Sequence, residues 1–260
     1  MIKESKEEIF IKDVFRHFGF DLEKIGESDK KSPDFLASDD QYKILLELKT
    51  KNESQEVLEE RDTVLKTGEI YSKTTPLHRN NKISKLFDKA AKQFHSKKKA
   101  IEADFCFLIL HASGPATAYH LSQFEASAYG SVKLITYGLN NEPLKDCYYF
   151  QNSDFYKHQS IIDGAVFVGE NNLQFCINDL SPRYEAVKNC GFVKAFTTGV
   201  VDPTAKEAAG KAYSVRSNID RNNEYELIEH IKQKYSIDKV TPFNFMHQML
   251  ITRFDTSEDK

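Results

Sequence analysis

Two short runs of the sequence are wholly apolar, and they limit the possible folds more than any other feature. Ile44–Leu46 and Phe105–Leu110 each predict a strand buried on both faces, because a half-exposed strand would alternate apolar and polar residues. Lys82–Lys97 predicts a helix, since its apolar residues recur at i, i+3, i+4, i+7 and i+11. Glu4–Phe18 predicts a second helix with one apolar face.

The order of the remaining segments favours an α/β protein with a mixed central sheet flanked by helices. Shorter strands are predicted at 20–25, from 33 onward, at 42–50 and at 104–111. Further along, strands are predicted at 132–137, 165–168 and 173–177, and a helix at 223–234. Residues 51–80 are polar and contain several turn-forming residues, which predicts an irregular loop with a short helix near 53–65. The stretches 151–164 and 178–222 give only weak signals.

We divide the chain near residue 112. Residues 1–112 hold the predicted core, with a basic insertion at 51–80. Residues 113–260 are expected to complete the sheet, to supply specificity or to contact a partner. Because the sequence has no low-complexity linker, both parts could equally belong to one domain.

Cysteine usage and hydropathy favour a cytoplasmic protein. The four cysteines, at positions 106, 147, 176 and 190, form no CxxC pair, which argues against a zinc ribbon or a disulfide framework. The N-terminal residues lack the apolar stretch of a signal peptide, and Phe105–Leu110 is too short to span a bilayer. We expect no membrane contact.

Charge is distributed unevenly along the chain. Residues 61–100 hold 11 Lys and Arg against 3 Asp and Glu, a balance of +8 in a chain whose net charge is −3. A local basic block of this kind is typical of a nucleic-acid footprint that the whole-chain charge conceals. The alternative is a solvated, lysine-rich helix with no binding role.

Two carboxylates and a lysine form the candidate catalytic group. Asp34 begins one predicted strand, and Glu47 and Lys49 project from one face of the next, because side chains alternate along a strand. A buried charge is costly unless it is paired or binds an ion. Asp34 and Glu47, with the backbone carbonyl of Leu48, could therefore bind a divalent metal. The alternative is a surface carboxylate and a Glu–Lys salt bridge.

The dipeptide Pro33-Asp34 followed by Glu47-Leu48-Lys49 resembles the signature of the PD-(D/E)xK nuclease superfamily, the restriction-endonuclease-like proteins. The resemblance covers roughly residues 1–112 and implies an αβββαβ core with a C-terminal elaboration. It also implies that Asp34 and Glu47 bind Mg²⁺ or Mn²⁺ and that Lys49 orients the attacking water. The implied products carry a 5′-phosphate and a 3′-hydroxyl.

Many members of that superfamily also place an acidic residue of the first helix at the metal. At 100° per residue, Glu7 falls near the centre of the apolar face of the first predicted helix, whereas Glu8 lies at its margin. We predict Glu7 as the fourth catalytic residue and metal ligand, with Glu8 as the second choice. Alternatively, Glu7 only favours the helix N-terminus electrostatically.

Basic residues next to the candidate site are predicted to bind nucleic acid. One group lies on the helix that follows the Glu47 strand, where similar enzymes often carry a basic or glutamine residue that contacts the phosphate backbone. The other group lies in or beside the predicted loop at 51–80, which could act as a clamp that orders on binding. The predicted contacts are Lys66, Lys73, Arg79, Lys82, Lys85, Lys89, Lys92 and Gln93. Any of them could instead belong to a solvated face.

Together these features predict a Mg²⁺-dependent endonuclease that favours DNA, in a restriction or antiviral defence context. The eight histidines show no HxxxH or HExxH spacing, which argues against a zinc hydrolase. No GxxxxGK[ST] loop is present, so ATP hydrolysis would need a partner ATPase or helicase subunit. A homodimer is also possible. The competing interpretation is a catalytically silent nucleic-acid-binding or assembly subunit with the same fold.

Overall fold

A computed structural model of the chain describes residues 4–26, 32–39, 41–137 and 144–253. Its helices are α1 (Lys6–His17), α2 (Gln55–Lys66), α3 (Asn81–Ile101), α4 (Thr117–Tyr129), α5 (Asp154–Lys157), α6 (Tyr184–Asn189), α7 (Gly191–Lys194), α8 (Pro203–Ala208) and α9 (Glu224–Tyr235). Its strands are β1 (Glu23–Lys24), β2 (Phe35–Ser38), β3 (Lys43–Lys51), β4 (Tyr71–Pro76), β5 (Phe105–Ala112), β6 (Val132–Tyr137), β7 (Leu144–Tyr148), β8 (Gly164–Val168), β9 (Leu173–Ile177), β10 (Val200–Val201), β11 (Ala212–Ser214), β12 (Lys239–Phe243) and β13 (Met246–Ile251).

A mixed seven-stranded sheet forms the centre of the molecule, in the order β1-β2-β3-β5-β8-β9-β10. The first three strands form an antiparallel meander. After α3 crosses over, β5 pairs parallel to β3 and to β8. The α/β class with a mixed central sheet flanked by helices is therefore confirmed.

The two apolar runs that predicted buried strands form neighbouring strands in this sheet. All eight residues of β5 are buried. On one face, Leu45 packs in a layer with Phe87 of α3. On the other face, Leu46 packs in a second layer with Phe15 of α1 and Phe192 of α7. Helices on both faces explain why neither strand alternates polar with apolar residues.

The short helix predicted near residues 53–65 is confirmed, but the irregular loop predicted for the rest of 51–80 is wrong where β4 forms. Residues 55–66 form α2, and residues 71–76 form β4. β4 pairs antiparallel with β13, with Ser72 opposite Leu250 and Thr74 opposite Gln248. The strand that stabilises β4 thus lies at least 170 residues further along the chain, so no sequence pattern near residues 71–76 could indicate it.

The C-terminal half contributes to three sheets, one of which is the pair formed by β13 and β4. It adds β8, β9 and β10 to the central sheet, and it forms a four-stranded sheet in the order β11-β7-β6-β12. Helix α9 covers this smaller sheet through Leu227 and Ile231, which pack against Val132 and Leu134. Within the part of the chain that the structure describes, no helix combines the length and apolarity needed to cross a bilayer.

Candidate active site

The β2–β3 hairpin brings Asp34 to Glu47. Phe35 pairs with Leu46, so Asp34, one position before Phe35, lies at the level of the residue that follows Leu46. The Asp34 carboxylate accepts a hydrogen bond of 2.8 Å from the backbone N–H of Leu48. Asp34 and Glu47 are thirteen residues apart in the sequence, and the β2–β3 hairpin between them brings their side chains together.

Glu47 is fully buried, with none of its side chain exposed. Its Oε1 accepts a hydrogen bond from the Lys49 ammonium, whereas its Oε2 is buried and has no hydrogen-bond partner. Burial and the neighbouring negative charge of Asp34 raise the pKa of Glu47 to about 8. A half-satisfied buried carboxylate of this kind is costly to a fold unless something else binds it.

Lys49 is held between strand and helix. Its ammonium donates to Glu47 and, at 3.0 Å, to the side-chain oxygen of Gln93 on α3. The Gln93 amide in turn donates to the backbone oxygen of Ser32, 2.9 Å away, just before Asp34. Gln93 was predicted to contact nucleic acid, and the structure places it against Lys49 instead of leaving it on an open surface.

Of the two α1 glutamates, Glu8 is the one whose charge acts on Asp34, although its carboxylate is bonded to the Ser5 backbone and to Lys24. Burial raises the pKa of Asp34, and the Glu8 charge adds to that rise, while the Leu48 N–H and Lys49 oppose it. The Glu8 carboxylate also forms an ion pair with the Lys24 ammonium, 2.7 Å away. Glu7, the first choice from the sequence, lies where its charge acts on His111. The helical wheel favoured Glu7, but it gives only the angle of each side chain around α1 and not the rotation of α1 against the sheet.

The donor set suits a hard divalent cation. Asp34 and Glu47 offer carboxylate oxygens, and the unpartnered Oε2 of Glu47 is an atom that a cation would satisfy. Mg²⁺ commonly takes one or two carboxylates and completes its shell with water and substrate phosphate. Among the described residues, no group of three or more His, Cys, Asp and Glu side chains could hold a metal. Because Asp34 and Glu47 offer only oxygen donors, this pair suits Mg²⁺ or Mn²⁺ better than a zinc site built from Cys and His.

Lys51, Lys73 and Lys82 form a basic cluster, in which the charges of Lys73 and Lys82 act on Lys51. Lys51 follows Glu47 and Lys49 on the same face of β3, two residues beyond Lys49. Burial lowers the pKa of Lys51, and the positive charges of Lys82 and Lys73 lower it further. Lys51 was missed in the sequence, although the period-two spacing of Glu47, Lys49 and Lys51 was the signal that could have found it.

His120 of α4 lies beside the same lysines. Burial lowers its pKa to about 4, with further lowering by the charges of Lys51 and Lys73. The side chain is 4% exposed, and neither ring nitrogen has a hydrogen-bond partner. The charges that act on Lys51 are those of Lys73 and Lys82, and positive charges gathered in this way are favourable surroundings for a bound anion.

The other predicted contacts are more dispersed. Lys85, Lys89 and Lys92 are exposed along α3, and Lys66 is exposed at the end of α2. Arg79 turns away from the basic cluster. It donates to Asn81 at 2.8 Å and lies 3.9 Å from the Asp154 carboxylate.

Comparison of the chain with models of protein families, with curated proteins and with solved structures found no match. The chemistry of the site therefore has to be judged from its own residues. The resemblance carried by Pro33-Asp34 and Glu47-Leu48-Lys49 enters only as a source of hypotheses.

Gln93 provides a first test of how the site works. If the site cleaves phosphodiesters, as the sequence resemblance implies, Gln93→Ala should lower kcat about ten-fold with little change in KM, because it removes one hydrogen bond that orients Lys49. Single-turnover kinetics would measure it, with exposed Gln233→Ala on α9 as the matched control. A raised KM at unchanged kcat would instead make Gln93 a substrate contact.

Proposed function

We propose that the protein is a Mg²⁺-dependent nuclease that hydrolyses phosphodiester bonds and favours DNA. The observation that carries the proposal is the buried, half-satisfied Glu47 beside Asp34 and Lys49. Support comes from the element order: a helix, a three-stranded antiparallel meander, a crossover helix and a parallel strand. This is the αβββαβ order that the sequence resemblance implies, interrupted by α2 and β4.

Each side chain has a role in this proposal. Asp34 and Glu47, with the Leu48 carbonyl, hold the cation. Bound there, Mg²⁺ would lower the pKa of a water molecule and neutralise charge that develops on the phosphate. Lys49 donates its ammonium protons toward the water and the phosphate oxygens, and Gln93 fixes its orientation. Glu8 or Glu7 adds a carboxylate from α1.

The substrate is proposed to lie along the positively charged side of the site. Lys51, Lys73 and Lys82 would bind backbone phosphate next to the scissile bond, since lysine binds phosphate as a point charge without reading the base. Lys66, Lys85, Lys89 and Lys92 would bind more distant phosphates. A restriction or antiviral role, a homodimer and a partner ATPase or helicase remain expectations from the sequence.

A direct assay tests the proposed function. The purified protein is incubated with Mg²⁺ or Mn²⁺ and with plasmid, single-stranded DNA and RNA in parallel. We expect metal-dependent cleavage of at least one substrate, with DNA preferred, and 5′-phosphate ends on the products. Nucleic-acid binding without cleavage of any substrate would favour the silent assembly subunit instead.

The raised pKa of Glu47 predicts that metal binding releases a proton. At pH 7 the metal-free carboxyl is mostly protonated, because its pKa is about 8, whereas a metal ligand must be ionised. We expect release of about one proton per Mn²⁺ at pH 7 and much less at pH 9. Calorimetry in buffers of different ionisation enthalpy measures it. A proton count near zero at pH 7, or one unchanged in Glu47→Gln, would contradict the assignment.

A further inference from the structure

The three sheets of the described chain have six edge strands, and five of these strands carry features that discourage pairing with another chain. β1, β10 and β11 contain only two or three residues each. β4 contains Lys73 and Pro76, and β12 contains Lys239 and Pro242. Short length, lysine and proline are common means by which a protein blocks an exposed sheet edge.

β13 is the sixth edge strand, and it has none of these features. Its six residues, Met246–Ile251, include no Lys, Arg, Asp, Glu or Pro. One edge of β13 pairs with β4. Among the described residues, no main-chain hydrogen bond from outside β4 reaches residues 246–251. The other edge of β13 can therefore offer its N–H and C=O groups to a further strand.

The side chains of β13 alternate between a packed inner face and an exposed outer face. On the inner face, Met249 is 7% exposed. On the outer face, Met246 is 55% exposed and Leu250 is 61% exposed, and exposed Gln248 lies between them. Exposed apolar side chains on an unprotected edge strand are typical of a surface that another protein chain covers.

The order of these residues fits a second copy of the same strand. Two β13 strands can pair antiparallel about a two-fold axis perpendicular to the sheet, with Gln248 opposite Gln248 of the second copy. Met246 of each copy then lies opposite Leu250 of the other, on the same face of the sheet. The two Gln248 amide groups at the axis can each donate and accept a hydrogen bond. Each exposed outer-face side chain of β13 thus faces one of matching chemistry.

The lack of charged residues on β13 also favours a copy of this chain over a charged partner. A copy meets no like charge there, whereas a nucleic acid would find no lysine or arginine on the strand. About four to six main-chain hydrogen bonds would join the two strands. Phe243 and Phe245, both exposed just before β13, would add apolar area. An interface of this small size is typical of a weak, reversible dimer.

We propose that β13 is a homodimer interface, in which the β13 strands of two copies pair antiparallel around Gln248. The pairing joins the two β4–β13 sheets into one sheet of four strands, and Met246 and Leu250 become covered by their counterparts. The proposal does not depend on the proposed nuclease activity, because it rests only on the edge of β13 and the residues along it.

Sedimentation velocity of the full chain over roughly 1 to 200 μM, the range in which a weak dimer forms, tests the proposal. We expect the mass to rise with concentration toward that of two chains. Gln248→Lys and Gln248→Glu should each weaken dimerisation about ten-fold or more, because each places like charges against one another at the axis. An equimolar mixture of the two variants should dimerise again, since an ammonium then lies opposite a carboxylate. Gln233→Lys, the same change at an exposed position on α9, should dimerise like the parent protein.

A parent protein that stays monomeric throughout this range would overturn the proposal, as would Gln248 variants that dimerise like the parent. Loss of the dimer in both variants without recovery in their mixture would refute the two-fold pairing at Gln248. Recovery in the mixture also excludes unfolding as the cause of the loss, and melting temperatures of the separate variants check this point. Glu47→Gln should dimerise like the parent, so failure of the interface and failure of the nuclease proposal can be told apart.

Discussion

Lys49→Ala is expected to lower Mg²⁺-dependent cleavage by about a hundred- to a thousand-fold, the usual cost of removing one group that stabilises a transition state. The ammonium of Lys49 lies between the Glu47 carboxylate and Gln93, with no other lysine bonded to either group among the contacts described. No neighbour can therefore take its place. Substrate binding should change little, since the basic cluster remains. Initial rates on the preferred substrate, with gel-shift affinities beside them, measure the two effects.

Two companion variants make this result specific. Lys43→Ala removes an exposed lysine from the same strand, six residues earlier, and should cleave normally. Glu47→Gln should lose cleavage together with metal binding, whereas Lys49→Ala should still bind Mn²⁺. Normal Mg²⁺-dependent cutting by the Lys49→Ala protein would refute the assignment of the site.

Local sequence patterns predicted the central part of the fold and the position of the candidate catalytic group. β3, β5 and α3 were predicted within a few residues because their burial is encoded by nearby side chains. The Asp34–Glu47 contact was also predictable, because a short hairpin leaves little choice of register. Strand alternation placed Glu47 and Lys49 on one face without knowledge of their neighbours.

Features that depend on distant parts of the chain could not be predicted this way. Helix α4 went unrecognised because ten of its thirteen residues are buried, which leaves no polar face to reveal the helical period. Strand β4 depends on β13, which lies far along the chain. The choice between Glu7 and Glu8 depends on how α1 is rotated against the sheet. Tertiary packing sets that rotation, and the sequence of α1 alone does not.

The basic cluster should dominate the salt dependence of substrate binding. Lys51→Ala, Lys73→Ala and Lys82→Ala combined should lower the slope of log K against log salt by roughly three for duplex DNA, since each phosphate contact contributes about 0.9. At 0.1 M salt this corresponds to a loss of affinity on the order of a hundred-fold or more. Burial lowers the pKa of Lys51, and the charges of Lys82 and Lys73 lower it further, so the three ammonium groups repel one another in the free protein. A phosphate bound among the three lysines would replace this repulsion with attraction.

Fluorescence anisotropy over roughly 50 to 300 mM salt, where such slopes are linear, would measure the affinities. The titrations use a Glu47→Gln background, which is expected not to cleave the DNA. The control triple is Lys194→Ala, Lys211→Ala and Lys239→Ala, which removes three exposed lysines elsewhere and changes net charge equally. If overall charge alone attracted the DNA, both triples would lose affinity to a similar extent. A loss confined to Lys51, Lys73 and Lys82 would instead locate the strand beside Glu47 and Lys49, where phosphodiester chemistry requires it. Equal slopes for parent and both triples would remove the basic cluster from the substrate path.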